Sequence, residues 1–412
     1  MTDTLGIGFI GAGFITKTFH AETLRNIRDA HAAGVMNPTE RKAEAVAGDL
    51  RSAGCGDPNV YGDVRDLVQD PDVDAVWVTS PNYTRVSTVE AIVEEVTQGG
   101  ADLEGIAIEK PLARTLEEAQ RVIDLVEQTS LNHAYLENQV YMPGVERMKE
   151  LLWDGSGDRP YLARSAEEHS GPHSSWFWDG EKQGGGVLSD MMCHSHKVNH
   201  HLLADPDDPD GLTPVAVSGD ISTLKWGQDA YADELADEYD VDYRTSPAED
   251  YARASVFYET ADGDLVVGEA TNSWCFVGEG LRITVELLGP EYSGSLNTLE
   301  SGTNVFFSSD AGDESGYVVE KQEATEGSLS VVPDEATTYG YVAQNRHVVD
   351  AFRHGEDARE DLYDGLEVVK LCMASYRAAE EGRRIDLERT DLESYVPEPA
   401  RGEFDAGVEG LE

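Results

Sequence analysis

The sequence predicts an α/β protein: a doubly wound parallel sheet followed by an α+β region built on a mostly antiparallel sheet. Three observations predict it. The chain opens with a strand, a glycine turn and a helix. Over the first third, short apolar runs then alternate with helical patterns of about 12 to 16 residues, as parallel sheets with crossover helices require. Beyond residue 160, strand-like runs follow one another through irregular acidic loops, which fits an antiparallel sheet with one face on the core. At 412 residues the chain is long enough for two domains with their own cores.

Leu5 to Ile10 reads as a buried strand, leading through Gly11-Ala12-Gly13-Phe14-Ile15-Thr16 into a helix to about Asp29. This is the context of a dinucleotide turn: Gly11 makes the tight bend and Gly13 lets the backbone approach a pyrophosphate on the helix N-terminus. Thr16 stands where a third glycine is usual, which predicts a slightly wider gap between strand and helix. Ala30 to Met36 is the second strand and 39–54 a helix. At the strand's end, Asn37 replaces the acidic residue that binds ribose hydroxyls in NAD sites. Arg41 and Lys42 follow, placed to reach a 2′-phosphate, so the pattern leans to NADP and leaves NAD open.

Val73 to Thr79 is a third strand, breaking at Ser80-Pro81-Asn82 before a helix over 84–98. Gly105 to Ile108 is a fourth, ending at Glu109-Lys110-Pro111-Leu112, and Thr115 caps a helix to Thr129. Ligands of such sheets bind at the carboxyl ends of the strands. The glycine turn, Ser80-Pro81-Asn82 and Glu109-Lys110 all fall there, which makes them the candidate cofactor contacts. Further on, strands are expected at 161–165, 215–224, 252–259, 265–273 and 281–288, with acidic loops at 205–211 and 229–250.

Charge narrows the partners. The 80 acidic residues against 31 basic ones leave a formal charge of -49, which repels nucleic acid and anionic membranes. Hydrophobic content of 40% and aromatic content of 8% argue against disorder. With nine lysines against 22 arginines, the composition resembles proteins of salt-accumulating halophilic archaea. Four cysteines lie far apart without a Cys-x-x-Cys pair, and no apolar run approaches the roughly 18 residues of a membrane span. A cytoplasmic protein without a targeting segment is expected.

Gly184-Gly185-Gly186-Val187-Leu188-Ser189-Asp190-Met191-Met192-Cys193-His194 holds the densest chemistry. Glycines permit close passage of a ligand, and the helix that follows would offer its positive end. Asp190 and His194, four apart, would share a face. His196, His200 and His201 continue that helix. His196 and His200 have ligand spacing, but no cysteine pair completes a zinc set, so they read as solvent-facing and no metal is expected.

Taken together, Gly11-Ala12-Gly13, Pro81-Asn82, Glu109-Lys110-Pro111-Leu112 and Gly184-Gly185-Gly186…Asp190-x-x-x-His194 resemble the glucose–fructose oxidoreductase / inositol dehydrogenase / MocA (Gfo/Idh/MocA) family. Tyr341 to Phe352, Asp364-Gly365 and a helix to Gly382 are similar too, while Arg85 stands where many members carry histidine. The resemblance implies a Rossmann-type doubly wound parallel sheet followed by an α+β domain with a large, mostly antiparallel, open-faced sheet. Domains are expected at 1–134 (dinucleotide-binding), 135–383 (substrate and oligomerisation) and 384–412 (an acidic tail).

It further implies that Lys110, Asp190 and His194 form the catalytic cluster, that Gly11, Gly13, Phe14, Ile15, Asn37, Arg41, Ser80, Pro81, Asn82, Glu109 and Lys110 surround NAD or NADP, and that the chain forms a homodimer or homotetramer. Histidine suits a general base and an ammonium suits a developing alkoxide. Glu137 and Asn138, where the chain leaves the first domain, and His169, His173 and Trp176, ahead of the glycine run, are the candidate substrate contacts. Mixed aromatic and polar side chains suit a sugar. The expected activity is NAD(P)-dependent hydride transfer on a sugar, polyol or related cyclic hydroxy compound. The alternatives are a glycosidase or lyase using NAD transiently, and a non-catalytic nucleotide sensor.

Overall fold

The computed structural model describes residues 4–156, 159–245, 247–278, 280–300, 304–307 and 327–405. Contacts divide the chain into two compact units, Met1–Met142 with Tyr339–Val369, and Pro143–Thr338 with Lys370–Glu412.

Six strands form the first unit's sheet: β1 (Leu5–Ile10), β2 (Ala30–Met36), β3 (Gly56–Tyr61), β4 (Ala75–Val78), β5 (Gly105–Glu109) and β6 (Asn132–Leu136). Their order is β3-β2-β1-β4-β5-β6 and every pairing is parallel. This is the doubly wound order whose switch point lies between β1 and β4. β1, β4 and β5 are wholly buried, which is why each reads as an unbroken apolar run. The two edge strands escaped the sequence pattern. β3 reads Gly-Asp-Pro-Asn-Val-Tyr and β6 begins Asn-His, residues that only an edge tolerates.

Helices Glu40–Ala53, Arg85–Gln98 and Leu116–Val126 follow β2, β4 and β5 close to the expected bounds. Thr115 caps the last by accepting from the Glu118 N–H, and left-handed Gly54 and Gly99 end the other two. Residues 339–369, expected in the second domain, cluster with this unit instead. Phe352 of helix Tyr341–His354 is buried edge-on against Trp77, and a Cβ on Gly105 would sit 2.6 Å from its ring.

The second unit holds a seven-stranded sheet from β7 (Leu162–Glu168), β8 (Leu212–Ser222), β9 (Tyr251–Thr260), β10 (Leu265–Ser273), β11 (Arg282–Leu288) and β12 (Ser293–Asn297). A separate two-stranded antiparallel sheet pairs β13 (Asn304–Phe307) with β14 (Gly327–Ser330), and β15 (Ile385–Asp386) completes the larger sheet. Its order is β12-β11-β7-β10-β9-β8-β15, antiparallel except between β7 and β10. Burial alternates along β7, β9, β10 and β11, as a half-covered sheet requires. Helix Cys193–Leu203 covers the inner face at β7 and β10. Its Asn199 accepts from Ser165 Oγ at 2.8 Å and donates to the Glu269 carbonyl at 2.9 Å.

Within the expected acidic loop 229–250 lies helix Asp229–Tyr239, whose buried Ala232 and Leu235 were masked by five surrounding carboxylates. The expected acidic tail begins in β15 and buries Leu387 and Leu392; residues 406–412 lie outside the described set. No helix among the described residues is long and apolar enough to cross a membrane.

Candidate active site

In the first unit the candidate residues gather at the carboxyl edge of the sheet. Gly11 ends β1 with a φ of +111°, where a Cβ would lie 2.9 Å from the Ser80 nitrogen, so a side chain is excluded on both conformational and steric grounds. Gly13 is exposed, and a Cβ there would meet nothing within 4 Å. The backbone at Gly13 thus faces open space at the start of helical residues 14–26, a cradle that fits a pyrophosphate. Phe14 is exposed and Ile15 half-buried on that first turn.

Thr16 bonds back to the glycine turn and across to the neighbouring strand end. Its buried hydroxyl donates to the Gly11 carbonyl at 2.8 Å and lies 2.8 Å from Thr79 Oγ1, tying the turn after β1 to the end of β4. A wide π-helical turn over Thr16–His20 follows, a distortion frequent at functional sites.

Asn37 at the end of β2 accepts from the Ala12 N–H at 3.2 Å and donates to the Thr39 carbonyl, while Arg41 and Lys42 stand exposed beyond it. Ser80 and Pro81 are half-buried and Asn82 is buried after β4. Arg85 is fully buried beside them. It donates to the Val78 carbonyl at 2.7 Å and to the Pro111 carbonyl at 3.5 Å, binding the end of β4 to the Glu-Lys-Pro turn. Burial pushes its guanidinium down to about 10, against the nearby Glu109 charge.

Lys110 is half-buried directly after β5, and its peptide bond to Pro111 is cis. The backbone N–H of Lys110 donates to Glu109 Oε2 at 2.9 Å. Glu109 Oε1 lies 2.7 Å from Nε2 of buried His20, whose Nδ1 is 3.2 Å from Asn345 Oδ1. Asn345 also accepts from the Trp77 indole at 2.7 Å. Sequence reasoning missed His20 and Asn345; they are 325 residues apart, and only the return of 339–369 to this unit joins them. Glu137 and Asn138 are buried and engaged internally. Glu137 accepts from the Gln139 N–H, and the Asn138 amide donates to the Tyr339 carbonyl at 2.7 Å.

Asp190 and His194 belong to the second unit, both buried, Asp190 in a wide turn over Leu188–Met192 and His194 in helix Cys193–Leu203. Glu167, on the inner face of β7, brings Oε2 to 4.0 Å from His194 Nε2. It lies beyond the strand end expected at 165, and nothing local linked it to a histidine 27 positions on. His169 is buried two residues further and its Nδ1 accepts from the Gly171 N–H at 2.9 Å. Trp176 is half-buried and stacks on Phe177 with centroids 3.8 Å apart, while His173 is exposed. Trp178 belongs to the core, edge-on to Trp226 and Trp274 at 5.0 and 5.2 Å.

Two expectations for this segment are corrected. The glycines make room for the protein's own side chains: a Cβ on Gly185 would lie 1.9 Å from the Tyr376 hydroxyl, and one on Gly186 2.2 Å from the Glu249 carbonyl oxygen. The helix start is likewise occupied from within, by Glu249 and Tyr376. The histidines do not share a solvent face. His196 is fully buried against Ser375 Oγ at 3.1 Å, and burial pushes it down to about 3. His200 and His201 are half-buried, and among the described residues no group of three potential ligands could hold a metal ion.

Residues 5–135 match the profile of an oxidoreductase family, GFO/IDH/MocA, described by its NAD-binding Rossmann fold, and residues 145–291 match the C-terminal domain of that family. A D-xylose dehydrogenase from Paenarthrobacter nicotinovorans is 26% identical over 222 residues, 52% of this chain and 50% of that protein. The chain thus spans about half the length of this curated relative. A levoglucosan dehydrogenase from Pseudarthrobacter phenanthrenivorans is 25% identical over 401 residues, 93% of this chain and 98% of that one. The crystal structure of GenD2 from gentamicin A biosynthesis, in complex with NAD, has a similar fold, with a TM-score of 0.75 at 24% identity over 94% of this chain and 97% of that one.

Proposed function

We infer that this chain, which belongs to the GFO/IDH/MocA family of NAD-binding oxidoreductases, transfers hydride between a secondary alcohol of a sugar, polyol or related cyclic hydroxy compound and a nicotinamide dinucleotide. The observation that carries this reading is Lys110 at the carboxyl edge of a sheet ordered 3-2-1-4-5-6, on the edge where such sheets bind nucleotides. Relatives named for xylose and levoglucosan oxidation support the substrate class.

The bound nicotinamide supplies the hydride acceptor. The residues of the chain supply the rest. The Lys110 ammonium binds the hydroxyl oxygen and stabilises its developing negative charge. The His194 imidazole takes the hydroxyl proton. Glu167, 4.0 Å away, answers the positive charge that His194 then carries. Asp190 holds a neighbouring substrate hydroxyl, and the Trp176–Phe177 stack with His169 offers the apolar and polar surfaces a sugar needs.

Gly11, Gly13 and the first turn hold the pyrophosphate, with Ser80, Pro81 and Asn82 beside it. Asn37, with Arg41, gives no carboxylate to exclude a 2′-phosphate, so the proposal covers NAD and NADP. The outward face of the seven-stranded sheet, which alternates with the buried one, supports a homo-oligomer, and the -49 charge supports a cytoplasm of high salt.

The test is a panel of sugars and polyols with NAD and NADP in molar KCl, followed by absorbance of the reduced nicotinamide. Reduction with at least one sugar or polyol is expected. A chain that binds neither nucleotide refutes the proposal.

A further inference from the structure

A helix leaves its first four N–H groups without partners in its own ladder, and their disposition governs how firmly the first turn is held. In the segment carrying Asp190 and His194, all four are answered from two residues elsewhere in the second unit. The Gly186 N–H donates to Glu249 Oε1 at 2.9 Å and to the Tyr376 hydroxyl at 3.1 Å. The Val187 N–H donates to the Glu249 carbonyl at 3.0 Å. The Leu188 N–H donates to Glu249 Oε1 at 3.0 Å, and the Ser189 N–H to the Tyr376 hydroxyl at 3.1 Å. Tyr376 in turn donates to Glu249 Oε1 at 2.6 Å.

One carboxylate oxygen and one phenol therefore hold three of four consecutive amides, and the Glu249 backbone carbonyl holds the fourth, that of Val187. Glu249 and Tyr376 are both fully buried. Glu249 Oε2 has no hydrogen-bond partner among the described residues, an arrangement that costs desolvation and that packing alone does not require. A Cβ on Gly185 or Gly186 would collide with these same two residues. The next residue, Asp250, does similar work in another loop, accepting from the N–H groups of Leu224, Lys225 and Trp226.

We propose that Glu249, oriented by Tyr376, is the positioning residue of the reaction: it sets the start of the turn over Leu188–Met192 and so fixes where Asp190 and His194 stand. The inference rests on the reading of those two residues as catalytic. Glu249 touches neither substrate nor cofactor and acts through the backbone.

The experiment compares E249L, E249Q and Y376F in the full chain by hydrogen exchange of the amides in 184–194, by kcat and KM, and by affinity for NADH. In E249L the amides of residues 186–189 are expected to lose protection and kcat to fall at least tenfold. NADH affinity should stay within twofold, because the nucleotide residues lie in the other unit. E249Q, whose amide oxygen can still accept the two N–H bonds, should recover most of what E249L loses, and Y376F should fall between them. If E249L loses protection with kcat unchanged, or keeps protection, the inference is overturned while the functional reading stands. If wild-type protein reduces no nicotinamide with any sugar or polyol, the functional reading fails first and takes the inference with it. Should E249L not fold, Y376F alone decides by the same measurements.

Discussion

Burial of Glu249 makes the stability of the folded chain depend on pH. Desolvation pushes its carboxyl up to about 7, and the bonds from Tyr376, Leu188 and Gly186 only partly oppose that rise. A group raised on folding stabilises the folded state fully below its unfolded value and loses that contribution as pH rises through the folded value. For a carboxyl ordinarily near 4.5, a rise to about 7 corresponds to about 3 kcal/mol lost between pH 4.5 and pH 7. The substitution E249Q removes the titration and keeps the shape. Tyr376, which donates to the carboxyl, and Tyr243, which donates to the Ala248 carbonyl, are both raised well above the ordinary phenol range and stay neutral across that window, as does buried Cys372. The Asp250 carboxylate faces the N–H groups of 224–226 in either variant.

The assay is chemical denaturation of wild-type and E249Q protein at constant high salt, at pH 5, 6, 7 and 8. Both proteins share the pH response of the other carboxylates, so the difference between them isolates Glu249. That difference should shift in favour of E249Q by about 3 kcal/mol from the acid to the alkaline end of the window. A difference that does not change with pH would refute the reasoning that the buried carboxyl is ionised at a cost.

Three further outcomes are expected. Lys110→Met should lower kcat by about 100- to 1000-fold, the loss typical when one donor to a developing oxyanion is removed, with NADH binding by fluorescence kept within threefold; retained turnover would remove Lys110 from the chemistry. Asn37→Asp should cut kcat/KM with NADP at least about tenfold while sparing NAD, since a carboxylate at the end of β2 repels a 2′-phosphate; an unchanged ratio would show that this position does not read the ribose. Phe352→Ala should destabilise the protein by about 3–5 kcal/mol, the usual cost of emptying a buried aromatic site, measured by denaturation; a loss below about 1 kcal/mol would contradict the packing of 339–369 onto the first sheet.

How much was legible depended on range. Strands buried on both faces announced themselves as apolar runs, and glycines, prolines and caps marked where β1, β4 and β5 end. The edges did not, because an edge strand such as β3 keeps turn-forming residues that elsewhere break a sheet. Helix Asp229–Tyr239 was hidden for a related reason: its buried stripe is only Ala232 and Leu235 in a run of acids.

In the candidate site, motifs adjacent in sequence were legible and their supports were not. Glu109 and Lys110 could be read together, but His20 and Asn345, which hold Glu109 in a buried network, come from opposite ends of the chain. The glycine run was read as a passage for a ligand because the side chains that fill it, Glu249 and Tyr376, lie some 60 and 190 residues away. His196 looked like its neighbours in sequence, and only packing against Ser375 separates it from them.

Hydride transfer from a carbinol carbon is followed most directly by isotopic labelling. A reactive sugar or polyol carrying deuterium at the oxidised carbon is incubated with the protein and the oxidised nucleotide, and the nicotinamide is analysed by mass spectrometry. One deuterium per reduced nicotinamide and a carbonyl on the sugar are expected. Product sugar released by bond cleavage, with the nucleotide left oxidised and unlabelled at completion, would contradict hydride transfer.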